Sequence, residues 1–115
     1  MDLLSEPELP ENFSYPQQFM RAIACGLADI EPWYLLVGQP LRDTMKGLKA
    51  RYPDRKLIPF ARRQDNDDIA CWQAGADESV FIVHDFAAPG WESRDKFINF
   101  YDWLRRAIED FIEFE

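Results

Sequence analysis

The chain has 115 residues and a formal net charge of −8. Apolar residues make up 47% of the chain and aromatic residues 15%. This size and composition predict one packed domain over residues 1–115 and exclude a disordered chain. No apolar run approaches the ~18 residues of a membrane span and the acidic N-terminus is unlike a secretory signal, so we expect a cytoplasmic protein that does not bind membrane. The acidic balance argues against direct nucleic-acid binding and favours a basic protein partner.

Charge is distributed unevenly along the chain. Residues 1–41 sum to −5, residues 42–63 to +6 and residues 64–115 to −9. A basic block of this kind either complements acidic neighbours within the same fold or binds phosphate groups. We expect the first, because the acids of this chain outnumber its bases.

The N-terminal half predicts two helices. Residues 1–13 carry two prolines and four acids, which indicates an extended or loosely ordered lead-in. A helix is expected from Ser14, since Ser14 and Gln17 have capping-box spacing and Pro16 falls in the first turn. The apolar run Trp33–Val37 fits either a strand or a helical turn. A second helix is expected over Leu41–Arg51, with Leu41, Met45 and Leu48 as its apolar stripe.

The middle of the chain predicts three sequential antiparallel strands. They are Leu57–Phe60, Ile69–Gln73 and Val80–Phe86, separated by polar turns. The last of these is apolar on both faces, which predicts a central strand covered on both sides. Trp91–Phe97 fits either a fourth strand or a loop.

The C-terminal segment predicts an amphipathic helix. Asn99 and Asp102 have the spacing of an N-cap and its N3 partner, and Ile98 and Trp103 that of a hydrophobic staple. The apolar residues recur at helical spacing and predict a face that docks on the sheet: Phe100, Trp103, Leu104, Ala107, Ile108 and Phe111.

No common catalytic motif is present, and we expect no cofactor and no metal. His84 has no catalytic partner in sequence and is interpreted as a core histidine. Cys25 and Cys71 are interpreted as small buried hydrophobes.

The acids Asp65, Asp67 and Asp68 lie close together in one turn. They are interpreted first as turn and capping residues, second as a protein-contact loop and third as a metal site.

The chain resembles the SUKH superfamily, also called the Smi/Knr family. The resemblance runs from Trp33 to about Glu113, and four features carry it: PW followed by an apolar run, then YPDRKLIPFARRQDNDDIACW, then VFIVHDF, then FINFYDWLRRAIEDFIEF. It implies an α+β fold with a central antiparallel sheet and flanking helices, and a binding role without catalysis. In bacteria it implies an immunity protein that neutralises a toxin, often a nuclease.

Three hypotheses for function follow. The first is an immunity-type inhibitor that binds a basic toxin or nuclease domain through a face formed by Asp65, Asp67, Asp68, Trp91 and Glu92. In that face Trp91 either anchors the partner or folds back over the sheet edge. The alternative is a regulatory scaffold of cell-envelope or signalling pathways, and the third is a small enzyme that uses the turn carboxylates or binds a metal through them.

Overall fold

A computed structural model describes residues 1–114, and within them the fold is α+β. Five antiparallel strands form one sheet in the order β1-β2-β3-β4-β5, so each strand pairs with its neighbours in sequence. The strands are β1 Trp33–Leu35, β2 Leu57–Arg63, β3 Asp68–Gln73, β4 Val80–His84 and β5 Ser93–Phe97. The helices are α1 Gln17–Ala24, α2 Gly38–Arg51 and α3 Phe100–Glu113, with a short 3-10 helix at Glu6–Glu8.

The three predicted strands are confirmed, each with a change in length, and β3 begins one residue before the predicted start, at Asp68. β2 continues past Phe60 to Arg63 because its last residues pair with β1. β4 ends at His84, two residues before the predicted end, since Phe86 has a φ of 66° and leaves the extended conformation. The two segments for which the sequence left a strand undecided, Trp33–Val37 and Trp91–Phe97, each contain an edge strand, β1 and β5 respectively. β4 is therefore an interior strand, as predicted, because it pairs with both β3 and β5, and β3 lies in the middle of the sheet.

Aromatic side chains on one face of the sheet form the main core. The rings of Phe60 and Trp72 stack with centroids 4.3 Å apart. Phe19 of α1 contacts both rings, and Phe100 and Trp103 of α3 contact Phe60. Side chains alternate along a strand, so the neighbours of these residues point to the opposite face, where Arg55 of the α2–β2 connection lies over the Phe81 ring.

The α3 cap is confirmed, but the apolar stripe of α3 is only partly buried. The Asp102 N–H donates to Asn99 Oδ1 at 2.9 Å. Ile98 is 74% exposed, so the predicted staple with Trp103 is wrong. The N-terminal part of the helix is buried and its C-terminal part is not: Phe100, Trp103 and Ala107 are buried, whereas Ile108, Phe111 and Ile112 are exposed.

The first helix starts later than predicted. α1 begins at Gln17, its N-cap is Pro16, and no side chain caps it, so the predicted capping box at Ser14 is wrong. A capping box forms instead at Ser5 and Glu8, in the 3-10 helix. Cys25 at the end of α1 is exposed, contrary to prediction, while Cys71 is buried as expected.

The N-terminal segment is docked rather than loosely ordered. Leu4 is buried, and its N–H donates to the Tyr15 hydroxyl at 3.1 Å. Glu8 accepts a hydrogen bond from Arg42 Nε of α2 at 2.7 Å. This bond is the largest of several hydrogen bonds that lower the pKa of Glu8 to about 2. The N-terminal segment is thus largely irregular in structure but is fixed to α2.

Replacing Phe60 by alanine tests the aromatic core. We expect Phe60→Ala to lower the free energy of unfolding by about 3–5 kcal/mol, because it removes a ring that touches four other aromatic rings and leaves a cavity. Denaturant unfolding followed by circular dichroism measures the change. The exposed Ile98→Ala variant should stay within about 0.5 kcal/mol of the wild type, and an equal loss in both variants would contradict this account of the core.

Candidate functional site: an aromatic loop held by two buried carboxylates

The β2–β3 turn and the β4–β5 loop lie at the same end of the sheet. Asp85, which follows β4, donates its backbone N–H to the Asp67 carbonyl at 2.9 Å. Asp68 at the start of β3 pairs with His84 at the end of β4. The fold therefore brings the predicted acidic turn and the predicted Trp91 loop to one edge of the molecule.

The five predicted contact residues do not form one exposed face. Asp65 and Asp67 are exposed, and Trp91 is 79% exposed. Asp68 is half-buried and lies 3.0 Å from the His84 ring. Glu92 is only 6% exposed, so its predicted role as a direct contact is wrong.

The positions of His84 and Trp91 bear on two interpretations made from the sequence. His84 is half-buried and paired with Asp68 through Nδ1, which is a strand-end pair rather than a core position. Trp91 does not fold back over the sheet edge, since nearly four fifths of it remains exposed. The anchor interpretation of Trp91 is the one that this position allows.

Phe86 is an exposed aromatic residue that the sequence did not reveal. It was predicted to end a buried strand, but it is 63% exposed and has a positive φ. The guanidinium of Arg51 lies 4.2 Å from the centre of its ring. The loop between β4 and β5 thus presents two large aromatic side chains, Phe86 and Trp91.

The start of this loop is fixed by the buried carboxylate of Asp85, which is 2% exposed. Arg51 Nε, at the end of α2, donates to Asp85 Oδ1 at 2.7 Å, and Arg62 of β2 lies 3.5 Å from Oδ2. The Phe86 N–H also donates to Asp85 Oδ1, at 2.9 Å. This last bond supports the left-handed conformation of Phe86, which a bulky residue adopts only where its surroundings hold it.

The end of the loop is fixed by the buried carboxylate of Glu92. Arg55 Nη1 donates to Glu92 Oε2 at 3.0 Å, and the Gly90 N–H donates to Oε1 at 2.7 Å. Burial raises the pKa of Glu92, but hydrogen bonds from its own backbone, Arg55 and Gly90 outweigh it and leave the pKa below its usual value. Glu92 is therefore a positioning residue for the loop.

The middle of the loop has two further ties. The Tyr52 hydroxyl donates to the Ala87 carbonyl at 2.8 Å, and the Trp91 N–H donates to the Ala88 carbonyl at 2.9 Å. Burial, followed by the nearby carboxylates of Asp85 and Glu92, raises the pKa of Tyr52, so the hydroxyl keeps its proton and remains a donor. Asp85, Glu92 and the Ala87 carbonyl attach the loop to the rest of the domain, while its two largest side chains face solvent.

The basic block complements acids within the fold, as predicted. Each of its five arginines forms an ion pair: Arg42 with Asp2 and Glu8, Arg51 with Asp85, Arg55 with Glu92, Arg62 with Asp67 and Asp85, and Arg63 with Asp65 and Asp110.

The acidic turn is partly neutralised by this pairing. Arg63 donates to both carboxylate oxygens of Asp65, at 2.9 and 3.0 Å, and its hydrogen bond is the main cause that lowers the pKa of Asp65. Asp67 lies 3.4 Å from Arg62. The turn therefore offers a balanced polar rim beside the aromatic loop rather than a strongly acidic patch.

No three histidine, cysteine, aspartate or glutamate side chains within residues 1–114 converge to hold a metal ion. Among the helices of the described residues, none combines the length and the hydropathy that a membrane span requires.

Comparison with known proteins returned no match: no family model, no curated protein and no solved structure matches this chain. The class that the structure defines is an α+β domain with a tethered aromatic loop at one end of its sheet. Membership in the SUKH superfamily stays a prediction from the sequence.

Glu92→Gln tests the role of the buried carboxylate through pH. The pKa of Glu92 lies below the ordinary value of 4.5, so unfolding takes up a proton in acid and the stabilisation is lost as pH falls below that value. We expect the variant to lose about 1–3 kcal/mol at neutral pH, from the charged hydrogen bond to Arg55. Its stability should then fall less steeply than that of the wild type between about pH 5 and 3.

Denaturant unfolding at a series of pH values measures both effects. Glu78→Gln is the matched control, because Glu78 is exposed and forms no ion pair within the described part of the chain. Parallel pH curves for Glu92→Gln and the wild type would contradict the role assigned to Glu92.

Proposed function

We propose that this protein is a non-catalytic protein-binding domain that uses the β4–β5 loop, residues 85–92, to bind a partner. More specifically, we propose an immunity-type protein that neutralises a basic toxin of the nuclease class. The observation that carries the proposal is a loop fixed by two buried carboxylates whose aromatic side chains, Phe86 and Trp91, remain exposed.

The energetics of the loop support a binding role. Phe86 and Trp91 are 63% and 79% exposed, so they add little to the core, yet two buried acids and three arginines hold their loop in position. A side chain that is already held in place loses less conformational freedom when a partner binds it. Tryptophan in particular is enriched among the residues that dominate binding energy at interfaces.

The charge of the chain supports a basic partner. A net charge of −8 attracts a basic protein over a distance and speeds the encounter. Asp65 and Asp67 lie beside the loop with partners of their own, so we assign them to the rim, where they orient the partner and add little affinity. Affinity is assigned to the two aromatic side chains.

Capture of the partner with loop variants tests this function. Tagged wild-type protein is used to recover bound proteins from its source cells, in parallel with Trp91→Ala and Phe86→Asn. Asparagine is chosen because it tolerates the positive φ of Phe86. We expect one basic protein from the wild type and at least about 30-fold weaker binding by Trp91→Ala, since an aromatic anchor contributes about 2 kcal/mol or more.

Ile98→Ala is the matched control, because Ile98 is as exposed as these aromatics but lies outside the loop. The recovered protein is then assayed for nuclease activity with and without the captured domain. Inhibition by the wild type and not by Trp91→Ala supports the immunity role. A partner that binds all variants equally contradicts the assignment of the loop, and a partner without toxin activity contradicts the immunity role while leaving the loop as the binding site.

A further inference from the structure

The C-terminal half of α3 carries an apolar stripe that nothing in residues 1–114 covers. Ile108, Phe111 and Ile112 are 45%, 50% and 68% exposed. With the partly buried Leu104 they follow the spacing i, i+4, i+7 and i+8, which places them on one side of the helix. None of these residues belongs to the β4–β5 loop, so the stripe is a second surface.

Charged residues of opposite sign line one edge of this stripe. Arg105, Glu109 and Glu113 recur at intervals of four and are all exposed. Among the ion pairs formed within residues 1–114, the C-terminal half of α3 contributes only Arg106 and Asp110. The edge thus has its base toward the middle of the helix and its two acids at the C-terminal end, where the helix dipole disfavours acids.

We propose that two copies of this chain form a symmetric dimer through the C-terminal halves of α3, packed antiparallel. When the two-fold axis passes at Ile108, Leu104 of each copy meets Ile112 of the other. In antiparallel helices an edge faces the same edge of the partner, so along the helix axis Arg105 falls at a level between Glu109 and Glu113 of the second copy. Glu109 is the acid nearer to it, because each step of four residues turns about 40° further round the helix from the stripe. One surface therefore supplies both the apolar contact and its complementary charges, which is what a self-complementary interface requires.

A second copy fits this edge better than the other occupants of an apolar stripe. An anionic lipid surface would be repelled by the exposed acids Glu109 and Glu113. In the dimer Arg105 of each copy faces Glu109 of the other, and the two-fold symmetry forms this pair twice. These charges set the antiparallel register, and the apolar stripe supplies the contact area.

Sedimentation of the purified full chain tests the dimer. We expect the wild type to associate to a dimer as its concentration is raised to about 1 mM, a range that detects even weak association. Ile112→Glu should weaken association at least about tenfold, because the change occurs twice in the interface. Ile98→Glu, the same substitution at an exposed isoleucine outside the stripe, should leave association unchanged.

A charge-swapped pair tests the register. Arg105→Glu leaves only acids on the edge, and the double variant Glu109→Arg with Glu113→Arg leaves only bases, so each alone is expected to be monomeric. An equimolar mixture should restore association, since an all-acidic edge then faces an all-basic one. A wild type that is monomeric over the whole range, a dimer insensitive to Ile112→Glu, or a mixture no more associated than its components would overturn the proposal. The measurement needs no partner protein, so its failure is distinct from failure of the proposed function.

Discussion

The pairing of two buried carboxylates with arginines from distant parts of the chain is the interaction on which the functional end of this protein depends. Asp85 and Glu92 flank the β4–β5 loop, and arginines from α2, β2 and the connection between them hold both acids. A buried carboxylate without a partner is costly, because its charge loses hydration and gains no compensating cation. The loop conformation and the packing of α2 are therefore coupled.

This coupling explains how the β4–β5 loop can expose two aromatic side chains without folding back onto the sheet and burying them. A flexible loop that carried Phe86 and Trp91 would cover its own apolar surface by folding onto the sheet. The hydrogen bonds at Phe86, Ala87 and Gly90 prevent that and keep both rings in solvent. The stripe on α3 is exposed for a different reason, because the same turns of the helix contact the sheet through another side, where Asp110 accepts a hydrogen bond from Trp33 Nε1 and pairs with Arg63.

Sequence patterns predicted the fold well and the site only in part. Alternation and helical periodicity are local signals, so β2, β3 and α3 could be located from them, and Asn99 could be identified as a cap. Burial of a charged residue is not local. Glu92 was predicted to be exposed because acids usually are, and only the tertiary position of Arg55 makes its burial favourable. The exposure of Phe86 likewise depends on a backbone angle that no pattern for phenylalanine indicates.

The measurement that tests the central claim most directly is the backbone order of residues 85–92, from ¹⁵N relaxation of the isolated protein. A loop held by Asp85 and Glu92 predicts order parameters near those of the strands, about 0.85, at Phe86, Gly90 and Trp91. Values below about 0.6 at these residues would show a loop that moves freely on the nanosecond timescale. That result would contradict the view that buried ion pairs hold the two aromatic side chains ready for a partner.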